Sequence, residues 1–84
     1  MLTVHYFASL RESLGLSQET LSLSSAGMSV ADLIAHLVSV HGDSWSLLED
    51  SSRVLVAVDK TVVDRQHRLQ GQEEVAFFPP MTGG

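Results

Sequence analysis

Ser29-Val30-Ala31-Asp32-Leu33-Ile34-Ala35-His36-Leu37-Val38-Ser39-Val40-His41-Gly42 is the stretch that decides the fold. Val30, Leu33, Ile34, Leu37 and Val38 recur at helical spacing and make one apolar stripe. Ser29 is placed as an N-cap, with Asp32 at the capping-box position, and Gly42 as the stop. These residues predict the one long helix in a chain whose other apolar segments read mostly as strands. A single helix of this length covers one face of a small sheet.

Toward the N-terminus, Thr20 to Leu23 alternate weakly and read as a strand. Ser9 has Glu12 three residues on, which predicts a capping box for a short helix carrying Leu10 and Leu14 and ending at Gly15. In Leu2 to Ala8, Leu2, Val4 and Tyr6 alternate with Thr3, His5 and Phe7, the period of a half-buried strand. Toward the C-terminus, Asp43 to Asp50 reads as irregular or a short turn of helix, anchored by Trp45 and Leu48. Val54 to Val58 is a continuous apolar run, as in a central strand. Asp59-Lys60 turns a hairpin into Thr61, Val62 and Val63. Gln70-Gly71-Gln72 turns into a last strand, Glu74 to Phe78. The expected class is α+β: a mixed sheet of about five strands under one main helix, with the first and last strands parallel at its centre. That order is the β-grasp pattern of ubiquitin-like proteins.

Composition narrows the chemistry. The 84 residues suit one domain. There is no cysteine, so the chain supplies no thiolate for a disulfide, a metal or a nucleophile. A net charge of −5 with five scattered Lys and Arg residues speaks against nucleic acid and favours basic protein partners. The four histidines lack metal-ligand spacing. Neither a glycine-rich phosphate loop nor a nucleophile elbow is present. The N-terminus lacks a signal-peptide pattern, and no run approaches the length of a membrane span, so a cytoplasmic location is expected.

Two surfaces remain as candidate sites. Phe7 shares parity with Thr3 and His5. Phe78 and Ala76 share parity on the last strand. With those strands adjacent, Phe7 and Phe78 are either an exposed patch, extended by Val62, or a second small core under the loops. Arg11, Arg65 and Arg68 are candidates for an ionic rim. The other site is the tail. Pro79 and Pro80 end regular pairing and stiffen the path outward. Met81, Thr82, Gly83 and Gly84 follow, so the six residues reach roughly 20 Å when extended. The expected division is a domain at 1–78 and a tail at 79–84 that ends on a bare carboxylate. The residues alone leave open a carrier loaded at Gly84, a modifier joined to lysines through Gly84, and a binding module with an inert tail.

The opening Phe7-Ala8-x-Leu10-Arg11-Glu12-x-x-Gly15 and the closing Gly71-x-x-Glu74-Val75-Ala76-Phe77-Phe78-Pro79-Pro80-x-x-Gly83-Gly84 resemble the MoaD family of sulfur carriers, the small subunits of molybdopterin synthase. The likeness covers essentially the whole chain. Asp59 replaces a frequent Asn, and Met81 a common β-branched residue. The resemblance implies that Gly84 is adenylated by an E1-like adenylyltransferase similar to MoeB, which uses ATP and Mg. A persulfide donor then converts it to a thiocarboxylate. The tail, Pro79 to Gly83, inserts into a large subunit similar to MoaE, where catalysis is expected. There the sulfur passes to cyclic pyranopterin monophosphate. Phe7, Arg11, Val62 and Phe78 would dock the body, in a heterotetramer and without a tightly bound cofactor. Carriers for thiamin, tRNA thiolation or cysteine synthesis share the fold and stand as the nearest alternative.

Overall fold

The computed structural model describes residues 1–22 and 27–80. The elements run β1 (Leu2–Tyr6), α1 (Ser9–Leu14), β2 (Gln18–Leu21), α2 (Val30–His41), a 3-10 helix (Asp43–Glu49), β3 (Leu55–Val58), β4 (Thr61–Val63) and β5 (Glu74–Phe78). Residues 23 and 81–84, on which the expected end of the second strand and most of the tail fall, lie outside the described residues.

The five strands form one sheet in the order β2-β1-β5-β3-β4. β1 and β5 are parallel, with Val4 opposite Val75 and Tyr6 opposite Phe77. The other pairs are antiparallel. This is the ubiquitin-like β-grasp arrangement: the first and last strands meet inside the sheet, and α2 covers one face. Period-2 alternation sends Leu2, Val4, Tyr6, Val75 and Phe77 to that face, where all are buried. Val30, Leu33, Ile34 and Leu37 meet them from α2, and Trp45 and Leu48 close the core from the 3-10 helix.

The capping box of α2 forms as expected: Asp32 N–H donates to Ser29 Oγ at 3.1 Å, and Ser29 N–H to Asp32 Oδ2 at 3.0 Å. Two more N–H groups of its first turn, on Val30 and Ala31, donate to the carbonyls of His67 and Arg65. The segment between β4 and β5 therefore straps the start of α2, leaving fewer free donors there.

The capping box expected at Ser9 does not form. The cap position is Ala8, at φ 53° and ψ −129°, with no side-chain cap hydrogen bond. Leu10 N–H donates to Phe7 O at 3.1 Å, so Ala8 is the second residue of a type II′ turn. That turn passes straight from strand to helix, and Ser9 is already helical. The same turn ends β1 at Tyr6 rather than Ala8. β2 begins at Gln18, two residues earlier than expected, because Glu19 faces inward opposite Val4 and breaks the apolar alternation. The β3–β4 turn is of type I′, with Asp59 at φ 48° and Lys60 at φ 73°.

Candidate functional site

The face of the sheet opposite α2 carries the residues of the other parity. Register places them in rows. His5 lies beside Ala76, Ala76 opposite Ala57, and Ala57 opposite Val62. Phe78 faces Leu55, and Phe7, whose N–H donates to Phe77 O at 3.1 Å, extends that second row from β1. The Phe7 side chain is 49% exposed and Val62 is 63% exposed. Of the two readings of Phe7 and Phe78, the structure gives the surface patch. The row of small residues, Ala76 and Ala57, lies low between the larger flanking side chains. The result is an open groove of about 470 Å³ lined by Phe7, Phe78, Ala57, Ala76 and, at one end, by His5, Glu74, Asp59 and Lys60.

That polar end is built by backbone geometry. Asp59 N–H donates to Glu74 O at 2.9 Å, and Glu74 N–H donates to Asp59 Oδ1 at 3.0 Å. The type I′ turn therefore fixes Asp59 and Lys60 beside the start of β5. His5 Nε2 lies 2.9 Å from Glu74 Oε1, and the imidazole stacks on Phe7 with centroids 5.9 Å apart. From sequence, Asp59 and Lys60 read only as a hairpin turn, Glu74 only as the start of the last strand, and His5 as no part of a site; the shared parity of His5 and Phe7 is the available signal.

The proposed arginine rim is only partly compatible with this geometry. Arg65 donates to Leu48 O and Val54 O at 2.6–3.2 Å. Arg68 donates to Gly27 O at 2.8 Å. Both are committed to the strap around α2, away from the groove. Arg11 is exposed on α1 and does not line the groove. Pro79 and Pro80 follow β5 directly, are half-buried and join no strand. Met81, Thr82, Gly83 and Gly84 lie outside the described residues.

A second polar cluster sits under the sheet. Glu19 receives Tyr6 Oη at 2.8 Å and lies 2.9 Å from His41 Nε2. Trp45 Nε1 donates to Tyr6 Oη at 3.1 Å and its ring stacks on His41. Burial, opposed by the Trp45 hydrogen bond, holds the Tyr6 phenol neutral well above its ordinary range. Every buried polar side-chain atom among the described residues has a partner. The cluster ties β1, β2, α2 and the 3-10 helix together, and makes Trp45 the anchor of its segment, as expected from sequence.

The ThiS family model matches residues 4–84. The chain belongs to the ThiS family. Among curated relatives, the molybdopterin synthase sulfur carrier subunits of Haemophilus influenzae and Escherichia coli are each 33% identical over 84 residues, covering both chains completely. The Pyrococcus furiosus protein assigned as molybdopterin converting factor subunit 1 superposes with a TM-score of 0.74 at 26% identity, covering 95% of this chain and 97% of that one. Small archaeal modifier protein 1 of Haloferax volcanii also reaches 0.74, over 95% and 97% of the two chains, at 22% identity. The second likeness concerns the fold alone. Both solved structures thus share the sheet and helix described above.

Proposed function

We propose that this protein is the sulfur carrier subunit of a molybdopterin synthase. The observation that carries the reading is the end-to-end match to sulfur carrier subunits, joined to an apolar groove beside the strand that leads into Pro79-Pro80. No helix among the described residues is long and apolar enough to cross a membrane; the carrier would work in the cytoplasm.

The chemistry follows from the properties of a carboxylate. Its negative charge resists nucleophilic attack, so it must first be activated. A Gly84 oxygen attacks the α-phosphorus of ATP on a partner adenylyltransferase, releasing pyrophosphate and giving an acyl-adenylate. The terminal sulfur of a donor persulfide attacks the carbonyl carbon and AMP departs. A second donor thiol then attacks the resulting S–S bond, releasing the Gly84 thiocarboxylate and oxidising the donor to a disulfide. In the large subunit the thiocarboxylate sulfur attacks a carbon of cyclic pyranopterin monophosphate, and the bond from that carbon to an oxygen substituent breaks as the oxygen departs. Water then attacks the Gly84 carbonyl, leaving sulfur on the product and a carboxylate on the carrier. Glycine at 83 and 84 presents no side chain to a narrow channel, and the two prolines lower the order that insertion must impose. Phe7, Val62 and Phe78 hold the body while the tail is engaged, and Arg11 adds a charged contact at the edge of that face. Adenylyltransferase and large subunit need the same tail and would bind in turn.

The test is the intact mass of the protein after incubation with the adenylyltransferase, ATP and a persulfide donor. Replacement of one oxygen by sulfur, absent when Gly84 is deleted, supports the reading. No change, with the same enzymes active on a known carrier, would overturn it.

A further inference from the structure

The groove has unlike ends. Phe7 and Phe78 make one end apolar. The other holds two carboxylates, Glu74 and Asp59, against one fixed cation, Lys60, with His5 between the apolar floor and Glu74. With His5 neutral, this end carries a net charge of about −1; with His5 protonated, about zero. Glu74 is the accessible group, with 66% of its side chain exposed, and its one side-chain partner among the described residues is His5, itself 23% exposed. One Asp59 oxygen is held by Glu74 N–H. The remaining neighbours of His5 on this face are neutral: Thr3 on its own strand, Gln18 and Thr20 on β2, and Ala76 on β5. Arg11 and Glu12 of α1 do not line the groove.

Resting on the docking reading above, we propose that the groove takes an apolar segment of the large subunit that carries one arginine or lysine, seated with its charged head on Glu74 and its aliphatic stem on the His5–Phe7 stack. Charge complementarity selects this occupant: the apolar floor suits the stem, the exposed carboxylate suits the head, and the acidic chain as a whole attracts a basic surface. His5 is the resident competitor. Protonated, it supplies the positive charge that the partner would bring. Neutral, it holds Glu74 by at most a hydrogen bond, without the opposing charge, and the incoming cation displaces it. Docking therefore strengthens when His5 is without its second proton.

The experiment is titration calorimetry of the full-length chain against the large subunit encoded by the same organism, at about pH 8 and about pH 5.5. Wild type is expected to bind roughly three- to tenfold more weakly at the lower pH, the scale of one partly exposed ion pair. His5→Gln keeps a hydrogen-bonding group and should flatten most of that response. Glu74→Gln should weaken binding at the higher pH and reduce its sensitivity to salt. Wild-type affinity for Glu74→Gln, or an undiminished pH response in His5→Gln, would overturn the cation seat. Val62→Asp separates the two readings. If it abolishes binding while Glu74→Gln does not weaken it, the face docks and the seat is wrong; if it binds as wild type, the docking reading itself is wrong.

Discussion

The Tyr6 hydroxyl donates to the Glu19 carboxylate at 2.8 Å while accepting from Trp45 Nε1 at 3.1 Å. One phenol thus links the edge strand to the lid of the core. Removing it in Tyr6→Phe leaves the indole N–H without an acceptor and Glu19 one donor short. The expected cost is about 1–3 kcal/mol, measured as a lower midpoint in urea unfolding with little change in slope.

The same phenol sets an alkaline limit. Its folded-state pKa lies above the unfolded value of about 10, so its contribution is full below that value and is lost as pH rises toward the folded one. Wild-type stability should fall more steeply than that of Tyr6→Phe in strong alkali. Because Tyr6 is the sole tyrosine, phenolate absorbance reports it directly and should appear only with unfolding.

Glu73 sets a limit on the acid side. Burial raises its pKa, but backbone N–H groups at Gln70, Gly71 and Gln72, donating at 2.7–3.1 Å, outweigh this and hold it below the ordinary carboxylate range. A lowered folded value gives stability that is present above the unfolded pKa and lost as pH falls through the folded one. Glu73→Gln should be less stable than wild type at neutral pH, and the two unfolding midpoints should converge in acid.

Ala8 holds a φ of 53°, which glycine adopts without steric cost and alanine does not. Ala8→Gly should stabilise the protein by about 0.5–1 kcal/mol once glycine's greater unfolded-state freedom is deducted. Thermal unfolding would show a small rise in midpoint.

Phe7 and Val62 are exposed and contribute little to the core. Phe7→Ala and Val62→Asp should leave the melting temperature nearly unchanged. Each should weaken binding to the large subunit by about tenfold or more, the scale of an interface anchor. Melting curves and titration calorimetry on the same samples check both halves.

The core was legible because periodicity and burial coincide: Leu2, Val4 and Tyr6, and the α2 stripe, had no other favourable placement. Parity brought Phe7 and Phe78 to one face once β1 and β5 were adjacent, but it left patch and second core equally open, since exposure depends on what covers a face. Glu19 hid the start of β2, since an inward-facing carboxylate breaks alternation and its partners, Tyr6 and His41, come from distant positions. Ser9 was misread because a capping box depends on the backbone before it, which the turn at Ala8 had already set. Arg65 and Arg68 gave no sequence sign that their targets were main-chain carbonyls. His5 gained its place beside Glu74 only from the register of the parallel pair.

That parallel pair has a mechanical meaning. β1 enters the sheet near the N-terminus and β5 leaves it toward the tail. Tension between Met1 and the chain beyond Phe78 therefore runs along both strands in opposite senses. It loads their shared hydrogen bonds in shear, together, rather than peeling them apart one at a time. A partner that grips the tail pulls on the most firmly clamped strand of the sheet, and the body follows as a rigid handle.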